Sequence, residues 1–252
     1  MKKILALLFN LLFGKYGVYI KCILYNFKQN DFKIHFKDNI YKVSIDNIEM
    51  KFYENPYYLL VEQKQYFKFS HIKKGDTIID AGAFMGTFTV YASLITENGK
   101  VIVFEPDPDN YKMVEKHIEL NNLNNVILLK KGLWDCEKTL KFEQNNVGST
   151  LNIINEDNPN LIEVQVCALD EILNDHKIGN IDFIKMDIEG AEIEALMGAN
   201  KTLVNNDVKL AIASYHIVKG KETYISVEKQ LSNMGYQTNT VIDPERVTHA
   251  WK

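Results

Sequence analysis

The chain has 252 residues, enough for one large domain or one domain with a small extension. Hydrophobic residues at 46% can fill a core, and charged residues at 25% are ordinary for a water-facing surface. The net charge of −4 argues against a general nucleic-acid binder, and Arg246 as the sole arginine leaves almost no bidentate clamp for phosphate. Cys22, Cys136 and Cys167 form no CxxC and no zinc pattern, which suits a reducing compartment.

The N-terminus carries two lysines and then an apolar run from Ile4 to Phe13. That run falls short of the ~20 residues a bilayer span takes, and no A-x-A-like cleavage site follows it. Two readings stand for residues 1–28. One is an amphipathic helix lying on an anionic membrane; the other is a helix docked on the rest of the protein or on a second subunit.

Next, apolar residues alternate: Phe32, Ile34, Phe36, then Ile40, Val43, Ile45, then Ile48, Met50, Phe52. Asp38-Asn39 and Asp46-Asn47 separate the runs, which predicts an antiparallel β-meander over 31–53. Pro56 opens a helix through PYYLLVEQKQYFKFS. Its aromatics, with Tyr53, are either cap core or a stacking surface for a sugar; the meander and the N-terminal helix are expected to build part of the acceptor pocket.

From Gly75 short apolar strands alternate with helices: TIIDA, TFTVYASLIT, VIVFE, PDNYKMVEKHIELNNL, VILLK. TLKFE and IEVQVC add short strands, then come LDEILND, DFIKMD, AEIEALMGANKTLV, VKLAIAS and ETYISVEKQLSNMG. This alternation predicts a parallel sheet with helices on both faces. YQTNT and VTHAW follow with no helix between them, so that pair is expected to be antiparallel.

Gly82 and Gly86 in AGAFMG bracket a tight turn between the first strand and its helix, where backbone can approach a ligand closely. Position 84 is phenylalanine, so the loop is not GxGxxG, which weighs against a dinucleotide; no GK[ST] points to a triphosphate. Glu105 ends the second strand about 20 residues on, the place for a carboxylate on ribose hydroxyls, although Glu105 and Asp107 also suit a cap for the next helix. IKMDIEGAE delivers Asp187, Glu189, Glu192 and Glu194 at a strand tip. Asp187 and Glu189 are read as acceptor-positioning or proton-accepting groups, and Glu192 and Glu194 as dipole complement on a solvated helix face. VKLAIASYHIV ends in Tyr215 and His216, a histidine whose pKa near working pH suits a general base. Asp187, Glu189 and His216 also form a ligand set for a divalent cation, but the metal-free reading is favoured.

DAGAFMGTFT, FEPDPDNY and IKMDIEGAE together resemble the FkbM family of class I methyltransferases, over about residues 75–215. The resemblance implies a Rossmann-like seven-stranded α/β sheet, mostly parallel with an antiparallel last strand. It implies S-adenosylmethionine as cofactor and O-methylation of a sugar, glycan, glycolipid or related natural product. Carried over by residue, Asp80, Gly82, Ala83, Phe84 and Gly86 hold the methionine end, and Glu105 with Pro106 the ribose. Gly132, Leu133 and Trp134 line the adenine, and Ser149 and Thr150 face the active site. From their strand-tip positions rather than from the resemblance, Tyr215 is expected to touch the acceptor, Asp187 the cofactor as well, and Asp187, Glu189 and His216 to serve catalysis beside the methyl group. Phe84 stands where the family usually has asparagine. The expected organisation is a helical segment 1–30, a cap 31–70 and a methyltransferase domain 71–252, cytoplasmic, with self-association open. The alternatives are a binding protein that kept the fold without the chemistry and, from the same fold, a nicotinamide-dependent oxidoreductase.

Overall fold

The structure, a computed structural model, describes residues 17–28, 31–143, 161–242 and 245–252. A first helix, α1 (17–28), buries Cys22 and leaves Tyr19, Ile23, Leu24 and Phe27 exposed. Its Asn26 amide donates to Ile34 O at 3.0 Å and accepts from Ile34 N–H at 2.7 Å, so the helix end is pinned to the edge of the meander. The strands β1 (Lys33–Lys37), β2 (Ile40–Ile45) and β3 (Ile48–Phe52) pair antiparallel in that order, as the alternation predicts. Asp38 and Asn39 both take positive φ, +54° and +61°, which a two-residue hairpin turn of matching twist demands and which these residue types tolerate.

The helix expected after Pro56 is divided. α2 (Tyr57–Glu62) tightens into a 3₁₀ segment, Gln63–Phe67. Side chains three apart eclipse in a 3₁₀ turn, so Gln63 and Tyr66 are buried on the same side.

The remaining chain runs β4 (Thr77–Ala81), α3 (Thr87–Thr96), β5 (Lys100–Phe104), α4 (Pro108–Leu120), β6 (Val126–Leu129), β7 (Gly132–Leu133), β8 (Lys138–Glu143) and β9 (Leu161–Cys167). Then come α5 (Leu169–Asp175), β10 (Phe183–Met186), α6 (Glu192–Gly198), α7 (Asn200–Asn205), β11 (Lys209–Ala213), β12 (Ile217–Val218), β13 (Lys221–Glu222), α8 (Tyr224–Asn233), β14 (Gln237–Ile242) and β15 (Arg246–Trp251). Seven strands form one sheet in the order β14-β15-β11-β10-β4-β5-β6. β15 is antiparallel to both neighbours, and the pairs from β11 to β6 are parallel. One apolar cluster packs α5–α8 on one face, and a second packs α3, α4 and the 3₁₀ segment on the other.

Three details differ from the sequence expectation. β8 and β9 leave the main sheet and pair with β7 in the order β7-β9-β8. The stretch AEIEALMGANKTLV is two helices, because the backbone of Trp134 presses into its middle: a Cβ on Gly198 would stand 2.0 Å from Trp134 O. The meander packs on the outer side of α3 and α4, sharing a core with Val90 and Leu94, and Asn121 bonds both backbone groups of Lys51 at 2.8 Å.

Candidate active site

Open α/β sheets bind ligands where the strand order reverses, outside the carboxyl ends of the strands. Here β4 leads to β5 and β6 on one side while β10 and β11 lie on the other, so the reversal falls between β4 and β10. A cleft of about 450 Å³ opens there. Gly82, Ala83, Phe84, Glu105, Pro106, Gly132, Leu133, Trp134, Asp187, Glu189 and Tyr215 all line it.

Asp80, Gly86 and His216 stand outside the lining. Asp80 is fully buried; its carboxylate takes the Thr89 hydroxyl at 2.6 Å and pairs with Lys185 Nζ at 3.2 Å. Gly86 begins α3 with φ +77° and packs against Val114, 3.2 Å from where a Cβ would lie, so it serves helix packing. Ser149 and Thr150 lie outside the described residues. Among the described residues the lining takes nothing from α1 or β1–β3; Leu59, Glu62, Gln63, Gln65 and Tyr66 of α2 and the 3₁₀ segment border the cleft instead. The expectation that the meander and the N-terminal helix build part of the pocket is not met in this cleft by residues 17–28 or the meander, and residues 1–16 lie outside the described residues. Tyr53, Tyr57, Tyr58 and Phe67 are likewise absent from the lining. Tyr57 is buried, and Phe67 stacks on Phe88 at 5.5 Å.

Gly82 couples the two halves of the cleft. Its φ is +78°, and a Cβ there would meet Asp187 O at 1.8 Å, so no other residue allows the β4 and β10 tips this close. Phe84 adopts φ +53°, a conformation asparagine takes readily, and its side chain is 40% exposed. Its N–H donates to Glu105 Oε2 at 2.7 Å. The polar group that position 84 presents to the ribose-side carboxylate is therefore its backbone amide, which does not depend on the side chain.

Glu105 and Asp107 divide the two roles open to them. Asp107 caps α4, accepting from Asp109 and Asn110 N–H at 2.8 and 3.0 Å. Glu105 accepts the Phe84 and Asp107 N–H groups and is 4% exposed. Burial outweighs those two bonds and raises its pKa to about 7.

At the β10 tip, Tyr66 Oη donates to Asp187 Oδ2 at 3.0 Å. His216 sits among three carboxylates: Nε2 is 3.6 Å from Asp187 Oδ1 and 3.3 Å from Glu189 Oε2, and Nδ1 is 2.9 Å from Glu192 Oε1. Burial alone would lower the ring's pKa, but contacts with Glu189 and Glu192 and the charges of Glu192 and Asp187 raise it to about 10. At neutral pH the ring is therefore an imidazolium, whereas the sequence reading gave it a pKa near working pH. Glu192 is also corrected. It is fully buried rather than on a solvated face, and its Oε1 accepts the Gly190 N–H at 3.0 Å. Glu189 itself holds φ +57°, an uncommon backbone for glutamate.

Lys185, like Tyr66, Glu62 and Glu245, lines the cleft and was missed by sequence reasoning. It is buried beside Asp80, bonds Gly82 O, and lies 5.7 Å from the Tyr66 ring centre. A lysine inside the apolar strand DFIKM is the signal that would have found it, since buried lysine is rare without a partner.

Sheet order and site position are those of the class I methyltransferases. The structural likeness agrees: fibrillarin of Aeropyrum pernix, solved with S-adenosyl-L-methionine bound, aligns with TM-score 0.50 at 13% identity, over 87% of this chain and 98% of that one. The family profile described as Methyltransferase FkbM domain matches residues 80–238, so the chain belongs to the FkbM methyltransferase family. A solved Methyltransferase FkbM from Methylobacillus flagellatus KT aligns with TM-score 0.54 at 20% identity, over 74% of this chain and 46% of that one. Methyltransferase sdnD of Sordaria araneosa is 26% identical, covering 49% of this chain and 60% of its own length. Hexuronic acid methyltransferase AglP of Haloferax volcanii is 24% identical, covering 57% of each. The chain thus matches somewhat over half the length of these curated relatives.

Proposed function

We propose that this chain is an S-adenosylmethionine-dependent O-methyltransferase acting on a hydroxyl of a sugar, glycan, glycolipid or related natural product. The observation that carries it is the continuous cleft running from the Glu105 carboxylate to the Asp187–Glu189 pair. The residues fit the cofactor. Gly82 leaves a cradle that a Cβ would fill, and each Glu105 oxygen keeps a free lone pair for a ribose hydroxyl. Leu133, Trp134 and Pro106 offer apolar walls for a base.

Bound there, the cofactor supplies a methyl group on a sulfonium. The chain's own residues do the rest. Asp187 and Glu189 would orient the acceptor hydroxyl, and one of the two carboxylates would take its proton on methyl transfer. His216 is a positioning residue: its charged ring holds both carboxylates and is itself held by Glu192. Tyr66 fixes Asp187 from the other side. Alignment of the two reactants supplies much of the acceleration. The Haloferax volcanii relative's name supports a sugar acceptor.

Thermal-shift and calorimetric titrations with S-adenosylmethionine, S-adenosylhomocysteine and NAD test this reading. Binding of the first two and not of NAD is expected. Binding of NAD alone would favour an oxidoreductase, and no binding by folded protein a fold without its chemistry.

A further inference from the structure

We propose that Asp187, Glu189 and His216 form a divalent-cation site, with the cation's open positions facing the acceptor side of the cleft. The inference rests on the methyltransferase reading for its meaning, because two of the three ligands line that cleft.

The geometry carries it. One oxygen of each carboxylate and one ring nitrogen lie within 4.8 Å of one another. Ligand atoms about 2.1 Å from one ion and separated by roughly 90–110° stand about 3.0–3.4 Å apart. His216 Nε2 lies 3.3 Å from Glu189 and 3.6 Å from Asp187. A charge-assisted N–H···O bond would close to about 2.7–2.9 Å. These contacts stay longer, and neither Asp187 Oδ1 nor Nε2 of the buried His216 has a hydrogen-bond partner. Glu189, whose side chain is 28% exposed, would close the remaining gap by turning its carboxylate toward the ion.

The surroundings match a ligating histidine. Such a ring commonly turns its second nitrogen to a carboxylate, which fixes its orientation. Glu192, fully buried, lies 2.9 Å from Nδ1 and is itself held by the Gly190 N–H. The Asp187 Oδ2 atom is taken by Tyr66, which leaves Oδ1 toward the ring.

Charge points the same way. Glu62 and Glu245 border the cleft with Asp187 and Glu189. With no ion bound, a proton on His216 balances part of that charge; an ion at Nε2 would replace that proton and release it to solvent. A mixed carboxylate–imidazole set suits Mn²⁺ or Zn²⁺. The open positions would take an acceptor hydroxyl and ease loss of its proton.

The test titrates the full chain with Mn²⁺, followed by the electron paramagnetic resonance of free Mn²⁺, and with Zn²⁺ by calorimetry, each with and without S-adenosylhomocysteine. Expected is one ion per chain. Glu189→Gln should weaken it by at least about a hundredfold, and Glu192→Gln, one step removed, by roughly ten- to a hundredfold. Both should keep their thermal transitions. Glu105→Ala should weaken S-adenosylhomocysteine and leave the ion bound. If neither ion binds a folded protein that still takes S-adenosylhomocysteine, or if Glu189→Gln binds as the parent does, the site is refuted. If the ion binds and S-adenosylhomocysteine does not, the methyltransferase reading fails and the ion site stands.

Discussion

Lys185 Nζ lies 3.2 Å from Asp80 Oδ1, across neighbouring parallel strands, with both side chains buried. Residues 80 and 185 are opposite each other in the β4–β10 register. The pair therefore balances two buried charges beside the strand tips that carry the cleft.

Removing one partner leaves a buried charge alone, which costs on the order of 3–5 kcal/mol. Lys185→Met is expected to lower stability by that amount, read from denaturant unfolding. Lys185→Met with Asp80→Leu should recover a large part, since replacing both charges by apolar groups removes the orphan. A double variant no more stable than the single would show that the pair is not the source of the loss.

Glu105 makes cofactor binding depend on pH. Its folded pKa is about 7 because burial opposes its charge. Hydroxyl donors favour the charged form, so binding lowers this pKa and releases protons in the range just below pH 7. Affinity should rise with pH through that window and level off above it. Calorimetry in two buffers of different ionisation enthalpy reads the proton release, which Glu105→Gln should abolish.

Asp187→Asn keeps the shape of the strand tip and removes its charge. Turnover is expected to fall by roughly a hundredfold or more, with cofactor affinity changed little. Tyr66→Phe removes one hydrogen bond to the same carboxylate and should show a weaker form of the same pattern. If cofactor affinity falls in step with turnover, Asp187 belongs to the cofactor rather than the acceptor.

His249, on β15, is buried at the edge of the Phe69 ring, 4.9 Å between centres. Burial lowers its pKa from 6.5 to about 4 despite a backbone hydrogen bond at Gln65. Below pH 6.5 the unfolded chain takes up this proton first. Stability is therefore lost as pH falls from 6.5 to 4, by up to about 3 kcal/mol. His249→Leu should flatten the stability profile in that window. An unchanged slope would assign the acid sensitivity to other groups.

The sequence by itself determined what depends on near neighbours in the chain. The turn at Asp38-Asn39, the alternation in Ile48–Phe52 and the cap at Asp107 are local matters, and all are legible. So is the αL turn at Gly82, because backbone freedom is written in the residue type. The motifs DAGAFMG, FEP and IKMDIEGAE placed the cleft because strand ends in a parallel sheet converge on one edge. Tertiary structure decided which polar groups face which. Four acids follow Met186, yet only the packing of α6 against His216 shows that Glu192 turns inward while Glu189 borders the cleft. Lys185 looks like a lone charge in a strand until β4 brings Asp80 beside it. His216 reads as a base near neutrality until three carboxylates surround it. Each of these depends on groups brought together from separate elements, and desolvation and charge act through space rather than along the chain.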